Sequence, residues 1–162
     1  MTNQDFQKLL VSVEAFLKEE YGFETWIGED EGYLMLKARL LGLGECQGEA
    51  VMEVCPVSLD MEPANGMQML QFYTTVAANI NEDNILPALH ALNSMNMRCP
   101  VGAFHLFEED RQMYHKYTAL LEEGESGVRQ ATIALSMVAE TINQLFDEAI
   151  LIAYDARKAM EE

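Results

Sequence analysis

Three residues of this sequence have side chains that could do chemistry together: Cys99, His105 and His115. A thiol near an imidazole is the pattern of a nucleophile with its base, and such groups are also partial metal sets. The spacing works against both. Cys99 precedes Pro100 at a helix end, with no cationic cluster to draw the thiol toward thiolate. His105 and His115 fall on opposite arms of a hairpin pattern, without a carboxylate or cysteine at ligand spacing. Together they still define one reading: a small-molecule-binding protein or enzyme with a pocket near Cys99, His105 and His115. Elsewhere the run from Asn79 to Asn84 resembles the start of a calcium loop. It has no glycine at the sixth position, and His90 stands where a bidentate glutamate is needed. Glu108, Glu109 and Asp110 read as a solvated turn rather than an acid/base pair. No G-x-S-x-G elbow, Walker loop or dinucleotide glycine loop occurs. The expectation is a non-enzymatic chain with no catalytic residue, no cofactor and no metal.

Binding chemistry is better represented. The chain has 11 methionines, among them Met35, Met52, Met61, Met67, Met69 and Met113 on or beside strand patterns. Methionine fills irregular cores, and it also lines surfaces that accept varied apolar partners. Trp26 and Met35 fall on the nominally polar sides of their strands, so a sheet with two apolar faces would leave one for a ligand or second subunit. Phe6, Leu10, Trp26, Met35 and Met69 are the candidate contact residues for another polypeptide.

Composition narrows the partner. With 10 basic and 27 acidic residues the formal charge is −17, spread over both halves of the chain. Such a surface repels phosphate backbones and anionic headgroups, so nucleic acid and membrane are not expected partners. The apolar share is 49 %, and 162 residues suffice to bury a core, so residues 1–162 are expected to form a single domain. Three cysteines without a C-x-x-C pair fit a reducing compartment. No basic-then-apolar leader is visible, and the run from Ala149 to Tyr154 is too short to span a bilayer. Cytoplasmic localisation is the expectation.

The elements that must position these residues follow from periodicity. The longest is the helix expected over Ser126 to Ala156, where apolar residues from Val128 to Ala156 return at steps of three and four. Part of its surface is a candidate for meeting another chain. Thr2 and Asp5 suggest a capping box for a first helix with the face Phe6, Leu9, Leu10, Val13, Phe16 and Leu17, stopped at Gly22. Strand alternation follows: Phe23, Thr25 and Ile27 against Glu24 and Trp26, a turn at Glu29 to Gly32, then Leu34, Leu36, Ala38 and Leu40 against Tyr33, Met35, Lys37 and Arg39. Gly42 to Gly48 reads as a loop. Pro56, lacking a ladder donor, predicts an edge strand or a bulge. A turn is expected from Asp60 to Gly66, then a strand from Met69 to Ala77. Pro87 places the start of a middle helix near Asp83, with Asn81 as the alternative cap. A hairpin from Val101 to Leu121 leads into the last helix. The class is α+β: an antiparallel sheet of about five to six strands with an N-terminal helix, a middle helix and a long C-terminal helix.

Leu92-Asn93-x-x-Asn96, Gly102-Ala103-Phe104-His105-Leu106, a charged turn and Met113-x-x-Lys116-Tyr117 together resemble YbjN-like proteins, which share a fold with class I type III secretion chaperones. The resemblance implies a bacterial, acidic, cytosolic and often dimeric protein. It also implies a chaperone-like role, holding an extended client segment in sheet and helix grooves. The residues it carries over are Asn93, Asn96, Gly102, Phe104 and Leu106, as fold-defining positions.

Overall fold

The computed structural model describes residues 3–30, 33–57 and 67–160. Helix α1 spans Asn3–Phe16 and runs into a π-helical turn, Leu17–Tyr21. Its apolar face, from Phe6 through Leu9, Leu10 and Val13 to Leu17, is buried at the spacing expected for one helix side. Phe16 faces outward and is 37 % exposed. Gly22 ends the turn in the left-handed region, and its N–H bonds the Leu17 carbonyl. The expected capping box and the turns at Glu29 to Gly32 and Asp60 to Gly66 lie, wholly or in part, outside the described residues.

Six strands form one antiparallel sheet: β1 Glu24–Asp30, β2 Tyr33–Leu43, β3 Gly48–Pro56, β4 Met67–Ala77, β5 Ala103–Phe107 and β6 Gln112–Glu122. Their order is β1-β2-β3-β4-β6-β5, so β1 and β5 are the two edges. Helix α2 spans Glu82–Asn96 and α3 spans Glu125–Ala159. The fold is therefore α+β, with helices at the start, middle and end of the chain. One hydrophobic cluster joins residues of all three helices to one face of the sheet, including Leu10, Leu36, Phe72, Leu92, Leu121 and Ile142.

Pro56 corrects the edge-strand expectation, because β3 lies inside the sheet. Val57 donates to the Met69 carbonyl on the β4 side, at 3.0 Å. The nitrogen of Pro56 is thereby turned toward β2, and the β2–β3 pairing has already stopped at Val54. A proline ends an inner strand without removing a ladder bond. The expected loop at Gly42 to Gly48 is likewise shorter. β2 continues to Leu43 through an irregular register between Leu41 and Leu43, and β3 resumes at Gly48.

Helix α2 starts at Glu82, one residue ahead of the expected start, with the Asn81 side chain accepting from the Asp83 N–H at 3.0 Å. Pro87 lies inside it, past the first turn, where the absent N–H leaves the Asp83 carbonyl without its intrahelical donor. The long helix is longer than expected but broken. Asp155 leaves helical geometry at φ −152, ψ 66. Asn84 of α2 fills the gap: its Nδ2 donates to the carbonyls of Ile152 and Ala153 at 2.9 and 2.8 Å, and its Oδ1 accepts from the Ala156 N–H at 3.0 Å. A side-chain amide inserted in the helical ladder is a sufficient cause of such a kink.

Candidate functional site

All three helices contribute to the one core, so among the described residues the alternate residues of the strands form a second, open face. One row crosses the whole sheet: Trp26, Lys37, Glu53, Tyr73, Lys116 and Ala103 are successive register partners. The face holds itself together. Lys37 pairs with Glu53 at 2.7 Å, and Arg39 reaches Glu24 at 3.3 Å and Glu49 at 3.7 Å. Tyr73 stacks on Tyr114 at a centroid distance of 4.7 Å, and Tyr114 stacks on His105 at 5.3 Å. Partial burial in this stack pushes the Tyr73 hydroxyl up and, aided by Lys116, the His105 imidazole down. Between these contacts lie exposed apolar groups: Trp26 at 38 %, Leu120 at 55 %, and also Leu41, Val51 and Phe107.

The five residues expected to contact a partner separate into two groups. Trp26, Met35 and Met69 belong to the open face; Met69 is the register partner of Leu120, and Met35 that of Gly28. Phe6 and Leu10, at 4 % and 1 % exposure, are core residues under α1. Alternation on β6 (Tyr114, Lys116, Thr118, Leu120) was the signal that would have added Tyr114 and Leu120 to the face.

The trio expected to line a reactive pocket is divided by the same sheet. His115 is fully buried on the covered face, edge-on to Phe104 at 4.9 Å. Its Nε2 lies 2.8 Å from the Val101 carbonyl and 3.9 Å from Cys99 Sγ. Burial lowers the pKa of His115 and raises that of Cys99, so both are favoured neutral. His105 points to the open face, stacked on Tyr114. The three do not converge, and among the described residues no group of three metal-ligating side chains comes together. Clefts occur instead between helices. One of about 490 Å³ runs between α1 and the start of α3, past Lys8, Ser12 and Glu125. Another of about 640 Å³ lies between α2 and the end of α3, past His90, Arg98 and Glu148.

Two anchors fix the ends of the sheet. Asn96, at the end of α2, accepts from the Phe104 N–H and donates to the Phe104 carbonyl, both at 2.8 Å. It thus occupies the outward backbone of edge strand β5. At the β2–β3 turn, Asp147 of α3 accepts from the N–H groups of Glu45 and Cys46 at 2.6 and 3.2 Å, while Asn143 accepts from Gly44 at 3.0 Å. The Cys46 thiol and those amides hold the Asp147 carboxyl below the usual carboxylate range. Gly44 has φ +62, and a Cβ there would overlap the Asp147 carboxylate, so this turn requires glycine.

Among the described residues no helix is long and apolar enough to cross a membrane. A family model matches residues 59–151, more than half of the chain: YbjN, described as "Putative bacterial sensory transduction regulator". That stretch includes Asn96, Gly102 and Phe104, whereas α1 and strands β1 to β3 precede it. No curated protein matches the sequence significantly.

Proposed function

The chain belongs to the YbjN family, and we propose that it is a non-enzymatic, chaperone-like protein-binding module of the bacterial cytoplasm. In this reading residues 1–162 act as one domain, and the open sheet face holds an extended segment of a client protein. The observation that carries it is the half-covered sheet, whose uncovered face bears Trp26, Val51, Leu120 and, between them, Met35 and Met69. Apolar groups grouped on one uncovered surface mark an interaction site. A family described as regulators of sensory transduction is in keeping with action through partners rather than turnover.

The module works as a homodimer in this reading, through the outward side of α3, where Ile133 and Met137 are exposed one helical turn apart. A photo-cross-linking residue placed at Leu120 or at Ile133 in the native bacterium tests both surfaces. The expected result is an adduct of one discrete heterologous protein from position 120 and a second copy of the chain from position 133. A second copy from position 120, or no adduct there, overturns the reading of the open face.

A further inference from the structure

We infer that the client segment enters as a seventh strand along β1, and that it is a basic extended segment of another protein rather than a second copy of this chain. The inference rests on the protein-binding reading and assigns its partner's chemistry. The two edges of the sheet are treated differently. On β5 the Asn96 side chain makes the two bonds to Phe104 that an added strand would make, so that edge is closed. β1 is the other edge, seven residues long and, among the described residues, paired only with β2. Among the described residues no side chain bonds to its outward backbone.

The sequence of β1, Glu-Thr-Trp-Ile-Gly-Glu-Asp, decides what fits there. It has three acidic residues and no base. Pairing β1 with its own copy, in any register, sets acids against acids or against neutral groups and gains no attraction. Like charges directly opposite one another are destabilising in a sheet. The usual device that blocks an open edge is lysine, and β1 has none. A segment carrying lysine or arginine relieves the acidity instead. Glu24 is exposed on the open face and, among the described residues, pairs only with Arg39, while Glu29, also exposed and without an ion pair among the described residues, falls on the other side of β1, at the parity of Ile27. Trp26 follows Glu24 on the same side of β1, beside Lys37, and its indole suits the aliphatic stem of a basic side chain. On the covered side Ile27 packs against the core and calls for a β-branched neighbour. The chemistry that matches is an extended segment alternating basic and β-branched residues.

Trp26 is the one tryptophan of the chain, so its emission reports on this edge. Three blocked nine-residue peptides test the inference: valine alternating with lysine, valine alternating with glutamate, and proline alternating with lysine. The first is expected to bind at least about tenfold more tightly than either of the others, because charge reversal turns the pairing with Glu24 from attraction to repulsion and proline removes the ladder donors. In the Glu24→Lys variant, an exposed position on the side of β1 that carries Trp26, the preference between lysine and glutamate peptides should reverse. Equal binding of the lysine and glutamate peptides overturns the charge rule. Equal binding of the valine–lysine and proline–lysine peptides overturns strand addition. No response to any of the three overturns the inference as a whole. Because cross-links at Leu120 read the open face independently of the edge, that failure leaves the protein-binding reading standing.

Discussion

The two faces of this sheet are built from the same strands yet perform different tasks. On the covered face Leu36, Ala38, Met52, Leu70, Phe72 and Met113 are fully buried against the helices. One residue along on each strand, Met35, Lys37, Glu53, Met69, Tyr73 and Tyr114 stay partly exposed, held in place by ion pairs and ring stacking within the face. The difference shows that period-two alternation settles which residues fold the chain, and that it leaves a second ordered surface with no part in the core. Ordering on the open face comes from Lys37–Glu53 and Tyr73–Tyr114 contacts that remain solvent-accessible, so each contributes little to stability.

Mutation should separate the faces by size of effect. Phe72→Ala, which empties a fully buried site, is expected to cost about 3–5 kcal/mol in urea unfolding. A loss near that of a surface change would place Phe72 outside the load of the core. Asn96→Ala removes two bonds to Phe104 and uncovers the β5 edge, with an expected cost of about 1–3 kcal/mol. Sedimentation of that variant should show new self-association through the exposed strand, and unchanged sedimentation would mean that Asn96 does not guard the edge. Trp26→Ala, on the open face, should cost less than about 1 kcal/mol while weakening partner binding.

How far this division was legible in the sequence depends on the residue. The covered side of β2 was readable because Leu34, Leu36, Ala38 and Leu40 alternate there without interruption, and those of β1 and β4 were readable despite the buried Thr25 and Thr74. Pro56 misled, because sequence shows a missing donor but not the point at which the neighbouring ladder stops. The break in α3 was invisible: nothing in the run from Ser126 to Ala156 signals it, since the inserted group, Asn84, comes from a distant helix. Phe6 and Leu10 were readable as apolar helix positions, yet periodicity alone does not say whether such a face meets the chain's own sheet or another protein. For Cys99, His105 and His115 the reason is strand parity, which sends two histidines one register step apart to opposite faces.

A smaller effect separates the faces by pH. Burial depresses the pKa of His115 below the ordinary 6.5, so the unfolded chain takes up the proton first. The stability this residue contributes is complete above pH 6.5 and is lost progressively as the pH falls below that value. His105 on the open face is shifted in the same direction, so the two must be compared. His115→Asn should flatten the fall in melting temperature below pH 6.5 more than His105→Asn does. The opposite ranking would mean that the covered side of β6 admits water.

The methionines give the most direct reading of the central claim, because they lie on both faces and on the helix layer. Hydroxyl-radical oxidation followed by mass spectrometry should modify Met35 and Met69 in the isolated protein and spare the buried Met52 and Met113. Repeated on the complex purified with its native partner, it should show Met35 and Met69 protected and Met137 of α3 unchanged. Continued oxidation of Met35 and Met69 in that complex would contradict the assignment of the open sheet face as the surface that binds the partner.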